Sequence, residues 1–140
     1  VAFDRVGELL ASCSTDGRLS VQQAHQYATS AVASFGTASH LIPRHSAETE
    51  PILCIENGPL YPCAVRWNPR NQNQLLCGFS NGPMLNVFDL ASGQPELPCQ
   101  VLRLGSGSGV AGCDYVQDGA LAVAGGRDGE LRVWDVRVSS

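Results

Sequence analysis

Three segments of this 140-residue chain can be laid over one another: Val1 to Gln23, Ala64 to Leu90 and Gly112 to Val136. Self-similarity constrains the fold more than any single residue does, because each copy must bury its apolar face against a neighbouring copy. Each copy opens on a short apolar strand that carries an aromatic: Phe3, Trp67 or Tyr115. A polar turn follows, and then a strand of small and apolar residues such as Leu121-Ala122-Val123-Ala124-Gly125-Gly126. Next comes a two-residue turn signal, Asp16-Gly17, Asn81-Gly82 or Asp128-Gly129. Asp-Gly and Asn-Gly pairs supply the positive φ angles of a type I′ hairpin turn, so type I′ is the expectation at all three. A third strand closes each copy, Arg18 to Val21, Leu85 to Phe88 and Leu131 to Trp134. From aromatic to turn residue the spacing is 13, 14 and 13 positions. Order, chemistry and spacing agree three times, so the repeat is real.

The register places fourth strands at about Ile52 to Glu56 and Cys99 to Leu104, which predicts an all-β chain of four-stranded antiparallel sheets. The third copy ends in Val133-Trp134-Asp135 and the second in Val87-Phe88-Asp89. Here the chain resembles the WD-repeat (WD40) family, whose repeats end in Trp-Asp and run about 40–45 residues per blade. The resemblance implies part of a β-propeller, with units at 1–23, 64–90 and 112–136 and an insertion at 24–50. It also implies Phe3, Trp67, Phe88, Tyr115 and Trp134 as core aromatics. In the first copy Gln22-Gln23 stand in place of Trp-Asp. Three units do not close a ring, and no fourth strand follows the third unit before Ser140, so the chain reads as a piece of a longer propeller.

The family pattern is incomplete in one respect. Well-formed WD repeats carry a Gly-His pair whose His bonds the turn Asp and reaches the Trp through a Ser or Thr. None of His25, His40 and His45 stands in such a loop, and no Ser or Thr lies between Leu121 and Arg127. The expectation is that packing holds these blades together more than buried hydrogen bonds do.

Composition removes several function classes. All nine basic residues are Arg, no Lys occurs, and the net charge is -4. With no basic stripe, nucleic-acid binding is not expected. No apolar run is long enough to cross a bilayer as a helix. The six cysteines form no CxxC pair; Cys13, Cys63, Cys77 and Cys113 sit in strand-like stretches, where Cys acts as a small hydrophobe. Buried free thiols in a cytoplasmic or nuclear setting are the expectation.

Two patterns look chemical. Gly107, Gly109 and Gly112 spell GxGxxG, but a dinucleotide site needs a helix to follow, whose N-terminus takes the pyrophosphate. Another Gly-turn strand follows instead, so a loop between blades is expected. Zinc at His40, His45, Cys54 and Cys63 is disfavoured because structural sites bring their ligands in close pairs. No Cys or Ser is set beside a base and an orienting acid. No cofactor, metal or catalytic residue is expected.

Arg137 is the candidate partner-binding residue. Val133-Trp134-Asp135-Val136-Arg137 looks like the Trp-Asp-x-Arg box of WD-repeat substrate receptors for cullin-RING ubiquitin ligases, in which the Arg helps dock the damaged-DNA-binding adaptor. The expected function is a non-catalytic scaffold that binds proteins or peptides. Alternatives are such a ligase receptor, with its adaptor as partner, or a structural subunit of a large ciliary, RNA-processing or chromatin assembly. The insertion Ala24 to Glu50 is expected to be a surface excursion.

Overall fold

The computed structural model describes residues 1–24 and 51–137, so the body of the insertion, with His25, His40 and His45, lies outside the described residues. Eleven strands are present among the described residues, and they form three antiparallel sheets in chain order. The first holds β1 (Ala2–Phe3), β2 (Leu9–Cys13), β3 (Arg18–Gln23) and β4 (Leu53–Glu56). The second holds β5 (Pro62–Trp67), β6 (Gln74–Phe79), β7 (Met84–Asp89) and β8 (Pro98–Arg103). The third holds β9 (Val110–Val116), β10 (Leu121–Gly126) and β11 (Leu131–Asp135). Each sheet is a meander, and the first strands β1, β5 and β9 lie side by side where the three sheets converge. That is the arrangement of blades around a propeller axis.

Period-two alternation explains why β6 and β7 of the second blade are largely apolar, with Asn86 as the buried polar exception in β7. In β6, Leu75, Cys77 and Phe79 face the first blade, while Leu76 faces the third. In β7, Phe88 packs on the first-blade side, and Leu85 and Val87 pack on the third-blade side. A strand covered on both faces favours a near-continuous run of hydrophobic residues. Two cores result, one on each side of this blade, with Val65, Leu19 and Ile55 in the first and Val110, Ala122 and Ala124 in the second. Trp67 ties the first two blades by a polar contact as well, its Nε1–H donating to the Ala2 carbonyl at 3.0 Å.

Phe3 corrects the expectation of five core aromatics, because it is 62% exposed. In β1 the side chains alternate, so Ala2 packs against the first core and Phe3 points to the opposite face, where no described sheet covers it. Trp67 and Tyr115 are buried, Phe88 is fully buried, and Trp134 is partly buried against the second core.

The hairpin turns are also different from expectation. Ser14 N–H bonds the Arg18 carbonyl, and Gly17 N–H bonds the Ser14 carbonyl. Gly17 is at φ 92, but Asp16 is not at positive φ. The loop is therefore one residue longer than a type I′ hairpin: a turn over Ser14–Gly17 with a single left-handed Gly that forms a bulge. Gly126 to Glu130 repeats it, with Gly129 at φ 90. In the second blade Gly82 is not left-handed. Asn81 works through its side chain there, accepting from Tyr61 N–H at 2.8 Å and donating to the Pro59 carbonyl at 2.8 Å. A pair of positive φ angles, as type I′ requires, occurs instead at Gln117 (50) and Asp118 (55), between β9 and β10.

The Gly-rich loop at 105–109 joins β8 to β9 and is held by carboxylates of the third blade. Glu130 accepts from the N–H groups of Gly105 and Ser106, both at 2.8 Å. Hydrogen bonds from the hydroxyls of Ser106 and Ser108 and from Glu130 N–H lower the pKa of Asp128. These bonds lie at an exposed turn, and none of them reaches Trp134.

All six cysteines lie in strands and are free. Cys77 and Cys113 are buried, but Cys63 is exposed, which corrects its reading as a buried hydrophobe. It sits at a bulge between Pro62 and Ala64, with Sγ 3.4 Å from the Gly78 and Val110 carbonyl oxygens.

Candidate functional site

A cleft of about 210 Å³ opens where the β5–β6 loop of the second blade meets the β9–β10 loop and the end of β11 in the third. Asn68, Arg70, Asn71 and Gln74 form one wall, Asp118, Gly119 and Ala120 the other, and Val136 and Arg137 complete it. Arg137 is thus the sequence-predicted site residue that the structure places at the cleft. The turn residues Asp16, Gly17, Asn81, Gly82, Asp128 and Gly129 lie in the β2–β3, β6–β7 and β10–β11 hairpins, away from it.

Local chemistry shapes the first wall. Asn68 follows Trp67 at the end of β5 and precedes Pro69, a pairing suited to starting a turn. Its Oδ1 accepts from the N–H groups of Arg70 (2.9 Å) and Asn71 (3.1 Å), which closes the chain back toward β6. Asn71 Oδ1 then accepts from Asn73 N–H at 3.0 Å. Asn68 itself is buried. Its Nδ2 donates to Gln74 Oε1 at 2.6 Å and crosses to the third blade to donate to the Gly119 carbonyl at 3.0 Å. Gln74 Oε1 also accepts from the Tyr115 hydroxyl at 3.4 Å. Burial raises the Tyr115 pKa, so the phenol stays protonated as a donor.

The second wall is fixed by backbone shape. Gly119 stands at φ +83, and a Cβ there would lie 1.9 Å from Asn68 Oδ1. Only glycine fits, for both its conformation and its contact. Sequence reading overlooked Asn68, Gln74 and Gly119. The one available signal was the Asn68-Pro69 pair, which marks a turn but says nothing of a contact 51 residues along the chain.

Arg137 stands at the mouth with its side chain 68% exposed. Its Nε donates to Asp135 Oδ1 at 3.0 Å, Nη2 lies 2.5 Å from Oδ2, and its backbone N–H bonds Oδ1 at 3.0 Å. Those guanidinium bonds, followed by the backbone one, bring the Asp135 pKa down to about 2. The Asp and Arg of the Trp-Asp-x-Arg sequence are therefore one splinted unit, with the charged head held outward. Charge-assisted, two-point pairing of this kind fixes orientation as well as adding energy. The arrangement suits recognition: a small cleft, a wall built on the bonded Asn68 amide, and charged residues along it.

Comparison with known proteins agrees with this architecture. The family model described as "WD domain, G-beta repeat" matches residues 98–135. No curated protein matches the chain. Among solved structures, the β-propeller domain of Myceliophteria thermophila Cps50 (Swd1) is similar, with a TM-score of 0.67 at 14% identity. The match covers 97% of this chain and 35% of that one, so the chain spans about a third of the propeller's length. At this identity the likeness concerns fold alone. The chain has the fold of consecutive β-propeller blades, and the stretch from β8 through β11 is where the WD-repeat model matches.

Proposed function

We propose that this chain is part of a non-catalytic docking scaffold and that the cleft between its second and third blades is one contact point. WD40 propellers in general serve to bind proteins or peptides. The observation that carries the reading here is the splinting of Arg137 by Asp135 beside a cleft between two blades. A charge presented in fixed geometry loses little side-chain freedom on binding. The test is affinity capture with the intact protein in wild-type and Arg137→Ala forms. The variant is expected to keep its thermal melt and lose a subset of captured partners. Identical partner sets would overturn the reading.

A second, narrower reading is favoured by the exposed head of Arg137: a cullin-RING substrate receptor docking its damaged-DNA-binding adaptor. It predicts that the wild-type protein co-purifies with that adaptor and Arg137→Ala does not. Failure of the wild type to recover the adaptor removes this reading and leaves the general one standing. The same proposal treats 1–23, 64–90 and 112–136 as units of one domain with 24–50 as an inserted loop. It places the protein in the cytoplasm or nucleus, where free cysteines persist.

A further inference from the structure

We infer that the cleft selects a short peptide segment of mixed charge, in which an Asp or Glu and a Lys or Arg lie within a few residues of each other. The inference rests on the docking reading above and adds the chemistry of the ligand. Its basis is the set of charged groups that face the cleft and what each already does.

Arg137 uses its Nε and one Nη2 donor on Asp135. A guanidinium has five N–H donors in a planar fork, so about three remain, including those on the far edge. A second carboxylate fits that edge in a two-point pair, and Asp135 holds the fork in place to receive it. Arg70 lies on the opposite wall. Its backbone N–H is tied to Asn68, while its guanidinium makes no ion pair among the described residues. Two arginines thus line one small cleft, which suits an acidic side chain.

Asp118 decides what accompanies the acid. It lines the same cleft and makes no ion pair among the described residues. Gln117 and Asp118 are both at positive φ, a left-handed turn that Asp adopts more readily than most residues. Arg70, Arg137, Asp118 and Asp135 balance to zero, so an acid alone would leave the cleft negative. A ligand with a neighbouring base restores the balance by meeting Asp118. A phosphate dianion would worsen it, which favours a carboxylate. The Asn68 amide and Gln74 Oε1 are bonded within the protein, which leaves the charged side chains as the strongest groups open to a ligand.

The test uses four sets of immobilised ten-residue peptides that carry a central acid and base, an acid only, a base only, or neither. A fifth set replaces the acid by phosphoserine. The intact protein should bind the first set best, with binding weakened as salt rises. Arg137→Gln and Arg70→Gln should each weaken that set by about tenfold or more, the scale of a lost charged hydrogen bond, and erase the preference for the acid. Asp118→Asn should erase only the preference for the base. Equal binding to all sets, or a preference for phosphoserine, would overturn the inference. If capture of natural partners still depends on Arg137 in that case, the docking reading survives without it. If Arg137 has no effect on capture either, both fall together.

Discussion

Removing the Asn68 side chain would leave the N–H groups of Arg70 and Asn71 and the carbonyl of Gly119 without their partner. Unsatisfied groups at a buried position cost about 1–3 kcal/mol each. Asn68→Ala is therefore expected to lower stability in urea by about 1–3 kcal/mol, and Asn68→Asp, which keeps the Oδ1 acceptor but sets a carboxylate oxygen against Gln74 Oε1 and the Gly119 carbonyl, should not recover the loss. Asn68→Ala matching wild type would show that the network does not fix the loop. Asp135 gives a second expectation at this scale. Its folded pKa, about 2, is depressed by the Arg137 bonds, below the ordinary value near 3.9. A depressed acid stabilises the fold above its unfolded pKa and loses that contribution as pH falls through the folded one. Between about pH 4 and 2, wild type should lose more stability than Asp135→Asn, with the lowered Asp128 and Glu130 adding to the loss in both. Parallel pH profiles would count against the pairing. Residues of this kind were only half legible in the chain. Arg137 follows Trp-Asp and could be singled out, whereas Asn68 acquires its role from Gly119, which nothing in local sequence connects to it.

At the level of the strand, burial on one face or two decides what a side chain is worth. Phe88 in β7 is 1% exposed, while Trp134 in β11 is only partly covered, though the sequence presents both as the closing aromatic of a repeat. Phe88→Ala should destabilise by about 3–5 kcal/mol, the usual range for a buried aromatic. Trp134→Ala should cost clearly less, as judged by denaturant midpoints at unchanged slope. Equal losses would mean that β11 is better covered than its sheet suggests. The strands themselves were legible because alternation and spacing recur three times; β4 and β8 begin within a residue of where the register put them. Turn geometry was less so. Asp-Gly suits both a two-residue type I′ loop and a longer loop with one left-handed Gly, and the choice depends on strand pairing that the dipeptide does not encode.

Across the whole molecule the middle blade is sealed on both faces and the outer two are not. Leu131 (73% exposed), Val133 and Phe3 leave apolar surface on the outer sheets. Such patches drive association, so the 140-residue chain alone should sediment with a concentration-dependent mass. Leu131→Glu together with Val133→Glu should reduce that dependence. A monomer at all concentrations would count against these patches as association surfaces. The exposure of Phe3 shows why this level was hard to read: an aromatic in a first strand is core only if another sheet lies against its side of the blade.

The fit between the second and third blades leaves no slack. A Cβ on Gly109 would lie 1.8 Å from the Ser80 carbonyl oxygen on one side of the joint, and one on Gly119 would lie 1.9 Å from Asn68 on the other. Blades already in contact at both ends of their seam cannot approach further, so the cleft between them cannot tighten around a ligand that fills it badly. Discrimination among partners then shows up in how long they stay, because a cleft that does not close over its ligand releases poor fits sooner than good ones.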